Sequence, residues 1–144
     1  MGIKTAKKNQ EYQVVSGSRD IFSDFNHIFL PHPNTRQIAR KTNVDSIKLA
    51  IRNIVLTNKY ERLRNPDFGG NIRRYLFEPM TRDTEREIQN EIKQLIELYE
   101  PRARIFEVIA TASADTNFID IKIVFGVINS SQQQEVDLTL YRVR

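Results

Sequence analysis

Three acids sit in constrained settings where a carboxylate could do chemistry: Asp67 in Pro66-Asp67-Phe68-Gly69, Glu78 before Pro79, and Glu100 before Pro101. Glycoside hydrolysis needs two carboxyls, ~5–5.5 Å or ~6.5–9.5 Å apart, in a cleft that keeps one of them protonated. Each acid here has a structural role that competes with catalysis: a tight turn, a helix stop, and a partner at Arg102. A guanidinium beside a carboxylate favours the ionised form, the opposite of what a general acid requires. No glycine-rich phosphate loop or nucleophile elbow is present. The absence of cysteine excludes disulfides, iron–sulfur clusters and thiolate zinc sites. His27 and His32, beside Pro31 and Pro33, read as loop residues rather than metal ligands. The sequence thus assigns no catalytic, cofactor or metal site. A glycoside hydrolase is the alternative reading.

The Glu100-Pro101-Arg102 triplet is the more informative arrangement. Proline disfavours helical backbone in the residue before it, so a helix running into this point is expected to stop near Tyr99. Glu100 then lies at a helix C-terminus, where a negative charge costs ~0.3–1 kcal/mol if unpaired. In an extended tripeptide, residues two apart point to one side. Glu100 and Arg102 are therefore expected together, either as a bidentate recognition surface or as a local ion pair closing the helix end.

The elements that must position these residues follow from hydrophobic periodicity. Residues 1–18 are polar, include Ser16-Gly17-Ser18, and read as a flexible basic arm ahead of one domain over 19–144. Ile21, Phe22, Phe25, Ile28, Phe29 and Leu30 form a first apolar cluster ended by Pro31 and Pro33, with a short strand expected over Thr35 to Lys41. Asn43 is a candidate N-cap for a helix carrying Val44, Ile47, Ile51, Ile54 and Val55 on one face and fading near Thr57. In the loop that follows, Pro66, Phe68, Gly69 and Gly70 define a structural turn, with Phe68 pinning it to the core. A short helix spans Ile72 to Phe77. Thr81 is expected to cap the longest helix, whose stripe is Ile88, Ile92, Leu95, Ile96 and Tyr99. Three alternating runs then predict an antiparallel meander: Phe106 to Thr111, with Phe106, Val108 and Ala110 in phase, then Ile119 to Val127, then Val136 to Tyr141. Turns are expected at 113–117 and 130–133. The fold class is α+β, with two main helices packed on a C-terminal antiparallel β-meander in a single domain.

Composition agrees. The chain has 144 residues, 40% of them hydrophobic, which suits one core. No apolar run approaches the ~18–20 residues needed to span a bilayer, so no membrane association is expected. Basic Met1 to Lys8 lead into polar residues rather than a signal-peptide core, and Ala6 departs from the myristoylation pattern; export by this route is not expected. The formal charge of +4 is uneven, with Lys4, Lys7 and Lys8 in the arm and a net acidic stretch from Thr81 to Glu100. No aromatic-interleaved RNA-binding pattern accompanies the basic residues, so nucleic acid is not an expected partner.

Arg64-Asn65-Pro66-Asp67-Phe68-Gly69, then Leu76-Phe77-Glu78-Pro79, then the amphipathic helix ending in Tyr99-Glu100-Pro101-Arg102 resembles the contractile-tail baseplate wedge proteins called sheath initiators. Related subunits occur in type VI secretion baseplates, and some members carry an old lysozyme-like label, which implies as the alternative a lysozyme-like glycoside hydrolase acting on peptidoglycan. The resemblance covers roughly Asp20 to Arg144. It departs at Tyr60, where glycine is common and the turn is expected to differ, and at Tyr99, where tryptophan is common. It implies a structural component of a phage tail baseplate, assembled in the host cytoplasm and present in multiple copies per virion, whose partners are other baseplate wedge proteins and the tail sheath protein. It also implies that Glu100, Pro101 and Arg102 dock on the helical core bundle of the wedge. The C-terminal strand, anchored by Val136, Leu138 and Leu140 within Gln132 to Arg144, would accept sheath arms by strand addition. By itself that segment reads as an ordinary edge strand.

Overall fold

The computed structural model describes residues 22–25, 29, 31, 36–79, 81–113, 118–128 and 132–142. The basic arm, both histidines, and most of the two expected strand connections lie outside these residues. Strand β1 (Ser23–Phe25) pairs antiparallel with β2 (Arg40–Thr42). Helix α1 (Asn43–Leu56), a 3-10 helix (Ile72–Phe77) and helix α2 (Arg82–Tyr99) follow. Strands β3 (Ala103–Ser113), β4 (Phe118–Val127) and β5 (Gln133–Tyr141) form an antiparallel sheet with β4 in the centre. The architecture is α+β, as the periodicities require.

Each helix lies over one edge of the sheet: α2 packs on β3, and α1 packs on β5. Burial follows the sequence stripes. Ile47, Ile51 and Ile54 of α1 and Ile88, Ile92 and Ile96 of α2 meet Ile119, Ile121, Ile123 and Phe125 of the sheet. Each such side chain contributes about 1.5–3 kcal/mol relative to an exposed one, and these contacts bind the layers together. Thr81 caps α2 by accepting a hydrogen bond at Oγ1 from the Thr84 N–H at 3.2 Å.

Three local expectations are corrected. The N-cap of α1 is Thr42, not Asn43, which opens the helix with a φ of 50° and donates its N–H to the Phe22 carbonyl at 2.7 Å. The strand expected over Thr35 to Lys41 is confined to Arg40–Thr42. Arg36 takes a φ of 56°, which breaks the extended run, and Ile38 makes only an isolated bridge to Pro31. Phe106 is out of phase with Val108 and Ala110: a bulge between Ile105 and Glu107 inserts a residue there, leaving Phe106 half exposed. Its ring lies over Gly126, where any Cβ would come within 2.9 Å of the ring.

Candidate functional site

The junction between α2 and β3 is locked from within. Glu100 is the C-cap of α2, and its N–H donates to the Ile96 carbonyl at 2.8 Å. Its carboxylate accepts Arg102 Nε at 2.6 Å and Nη2 at 2.5 Å, a bidentate pair, and the Arg102 N–H at 3.3 Å. These bonds, led by the hydrogen bond to Glu100, hold the Arg102 guanidinium above its ordinary pKa while burial opposes them. The two partners differ in exposure. Glu100 is 3% exposed, whereas the Arg102 side chain is 37% exposed and Pro101 faces solvent. The pair therefore does not present both groups outward: the carboxylate is consumed inside, leaving Pro101 and one side of Arg102 as the accessible face. The guanidinium also lies 5.0 Å from the Phe22 ring centre, which brings β1 to the junction.

The structural turn is fastened to the same helix end. Tyr99 donates its hydroxyl to the Asp67 carbonyl at 2.6 Å, and its ring stands 4.8 Å from that of Phe68. Arg62 covers Phe68 at 3.8 Å. Gly69 has a φ of +94°, and a Cβ there would lie 2.3 Å from the Thr57 carbonyl oxygen, so glycine is required both for conformation and for space. Pro66 accepts the Tyr60 N–H at 2.7 Å. Tyr60 itself takes a φ of 67°, the left-handed conformation in which glycine is easiest, so the turn keeps a glycine-like geometry with a tyrosine in place.

Val136, Leu138 and Leu140 face inward on β5, opposite Ile123, Ile121 and Ile119 of β4. Their strand is an edge: among the described residues it pairs with β4 alone. The junction and β5 belong to opposite sides of the sheet, since α2 covers β3 and β4 intervenes. They form two separate surfaces. Of the acids considered for hydrolysis, Asp67 and Glu78 are exposed and Glu100 is bound to Arg102. Among the described residues no three His, Cys, Asp or Glu side chains are grouped to hold a metal.

Sequence reasoning missed the Arg62–Phe68–Tyr99 stack and the approach of Phe22 to Arg102. Only the conjunction of aromatic and arginine residues within the recurring motifs signalled the first, and nothing local signalled the second.

Comparison with known proteins follows the same outline. A family model described as baseplate wedge protein gp25 matches residues 41–132, more than half of the chain. Baseplate wedge protein gp25 of Enterobacteria phage T4 is 29% identical over 100 residues, covering 69% of this chain and 76% of that protein. A crystal structure of a Geobacter sulfurreducens protein labelled a tail lysozyme superposes with a TM-score of 0.63 at 29% identity, covering 69% of this chain and 90% of that one. A chain of the anti-feeding prophage baseplate, solved by cryo-electron microscopy, gives a TM-score of 0.59 at 20% identity over 83% of this chain and 84% of that one. At that identity the likeness is one of fold.

Proposed function

The chain belongs to the family of baseplate wedge protein gp25, and we propose that it docks on the core bundle of a contractile-tail baseplate wedge through the Glu100-Pro101-Arg102 junction, with Pro101 and Arg102 as the contact face and Glu100 fixing it from within, and templates the first sheath ring at β5. The observation that carries the reading is the locked junction. A buried carboxylate fixes Arg102 from inside, so Pro101 and the guanidinium face are held in one orientation before any partner arrives. Binding through a preorganised surface avoids the ordering cost of about 0.5–1.5 kcal/mol per immobilised side chain.

The sheet supports the second half of the reading. An edge strand carries unpaired N–H and C=O groups that an extended chain completes by strand addition. Val136, Leu138 and Leu140 hold that edge against the core, so the template is stiff. Head-to-tail repetition of such a contact builds an open helix, the symmetry of a contractile sheath. Among the described residues the one buried acid, Glu100, is held in an ion pair, which supports a structural role rather than hydrolysis. Electron microscopy of particles assembled without this protein tests the reading. Tail tubes lacking an ordered sheath are expected; normal sheaths would overturn it. Clearing of peptidoglycan by the purified protein, lost on Glu78→Gln, would establish the hydrolase instead.

A further inference from the structure

Among the described residues the outer edge of β5 is unpaired; α1 flanks it, and the two form a trough with chemically different ends. At one end a groove of about 220 Å³ lies between Lys41, Lys48, Leu49 and Arg52 on one side and Glu135 and Val136 on the other, with Asp45 at its rim. At the other end a groove of about 360 Å³ lies between Leu56, Leu76, Phe77 and the Thr139–Tyr141 end of β5, with Arg73 beside it. The spacing of the two ends is matched. Lys48 to Leu56 spans about 12 Å of helix at ~1.5 Å per residue. Val136 to Leu140 spans about 13 Å of strand at ~3.3 Å per residue. Helix and strand therefore run side by side in the same direction, and a chain added to β5 would pass a basic station and then an apolar one.

The basic station, among the described residues, has no carboxylate partner of its own. Among the described residues, Lys41, Lys48 and Arg52 have no carboxylate at ion-pair distance, whereas Glu135 is already held by Lys122 at 2.8 Å. Asp45 and Glu135 supply two negative charges against three positive ones, and Glu135 is shared with Lys122. At the apolar station Phe77 remains 64% exposed although Arg142 stacks on its ring.

Resting on the strand-addition reading, we infer that the segment received by β5 is an extended partner strand of acidic–apolar pattern. It carries a carboxylate facing Lys48 and Arg52 and, four residues away, a large apolar side chain facing Leu56 and Phe77. Alternate residues of a strand share a face, so a spacing of four keeps both side chains toward α1, and a spacing of three turns one of them away. Other occupants match less well. Residues 1–21 of this chain carry Lys4, Lys7, Lys8 and Arg19 against Glu11 and Asp20, a net positive segment. A second copy of β5 would turn Val136, Leu138 and Leu140 inward and bring no carboxylate to the cations.

The test uses the full-length protein and short synthetic strand peptides of alternating threonine and valine. The matched peptide has glutamate and leucine four residues apart. One control replaces glutamate by lysine, a second shortens the spacing to three, and a third is the peptide of residues 1–21. Affinity is read by fluorescence anisotropy, and the site by hydrogen exchange of the Gln134 to Tyr141 amides. The matched peptide should protect β5 and bind about tenfold more tightly than the lysine control, with the preference reversed in a Lys48→Glu, Arg52→Glu variant. Equal protection by the glutamate and lysine peptides would overturn the acidic pattern and leave strand addition standing. Preferential protection by the 1–21 peptide would replace the partner strand with the chain's own arm. Absence of β5 protection by every peptide would remove strand addition itself.

Discussion

Replacing Arg102 by alanine strips the partner from a carboxylate that the fold keeps almost out of water. Glu100 is 3% exposed and would lose both guanidinium bonds, at 2.6 and 2.5 Å, keeping only the backbone N–H at 3.3 Å. Breaking a fully buried ion pair costs about 3–5 kcal/mol. Arg102 is 37% exposed, so water already screens one partner, and the expected loss for Arg102→Ala is about 2–3 kcal/mol. A domain with a stability of ~5–15 kcal/mol tolerates that, so the variant should keep its circular dichroism spectrum and unfold at lower urea. Adding Glu100→Gln removes the stranded charge. The double variant should therefore lose about 1–2 kcal/mol less than the sum of the two single losses. Neither variant should co-purify with assembled wedges. Losses that add to within ~0.5 kcal/mol would refute the clamp, because uncoupled residues add and a charge pair does not. Normal wedge incorporation of Arg102→Ala would refute its docking role.

Two further substitutions probe the frame around the junction. Gly69→Ala forces a side chain into the left-handed region and onto the Thr57 carbonyl, with an expected loss of roughly 2–4 kcal/mol in urea unfolding. Tyr75 is buried, and burial first, with Glu91 adding and the Arg74 hydrogen bond opposing, raises its pKa above the ordinary 10.0. The neutral phenol is thus favoured by folding. Its contribution is complete below about pH 10 and is lost as pH rises through the folded value, because the unfolded chain releases the proton first. Tyr75→Phe should flatten that alkaline decline, read as unfolding midpoint against pH beside phenolate absorbance.

Much of this architecture is legible in the chain because local chemistry and tertiary packing agree. The stripe from Ile88 to Tyr99 has one helical solution, Thr81 has one good use as a cap, and Pro101 marks the helix end. The alternation from Ile119 to Val127 and from Val136 to Leu140 identifies the buried face of β4 and β5. Other features depend on partners distant in sequence. The bulge at Phe106 is hidden because an apolar residue there continues the apparent alternation with Val108 and Ala110. At the start of α1 the Asn43 N–H meets the carbonyl of Phe22, a contact that no local pattern announces. The spacing of Glu100 and Arg102 implied that they would meet, but not that one would be buried, since that is decided by what packs over the helix end. The basic and apolar stations beside β5 come from four separate segments, and no window of sequence contains them.

In the proposed role, this subunit offers a stiff strand edge to a polymer while its helix–sheet junction holds the platform. High-resolution cryo-electron microscopy of an intact tail at the first sheath ring measures this directly. An extended sheath segment hydrogen-bonded to β5 along Gln133–Tyr141 is expected, with Pro101 and Arg102 against the wedge core. A β5 edge left bare beneath an ordered sheath, or covered by this chain's own residues, would contradict it.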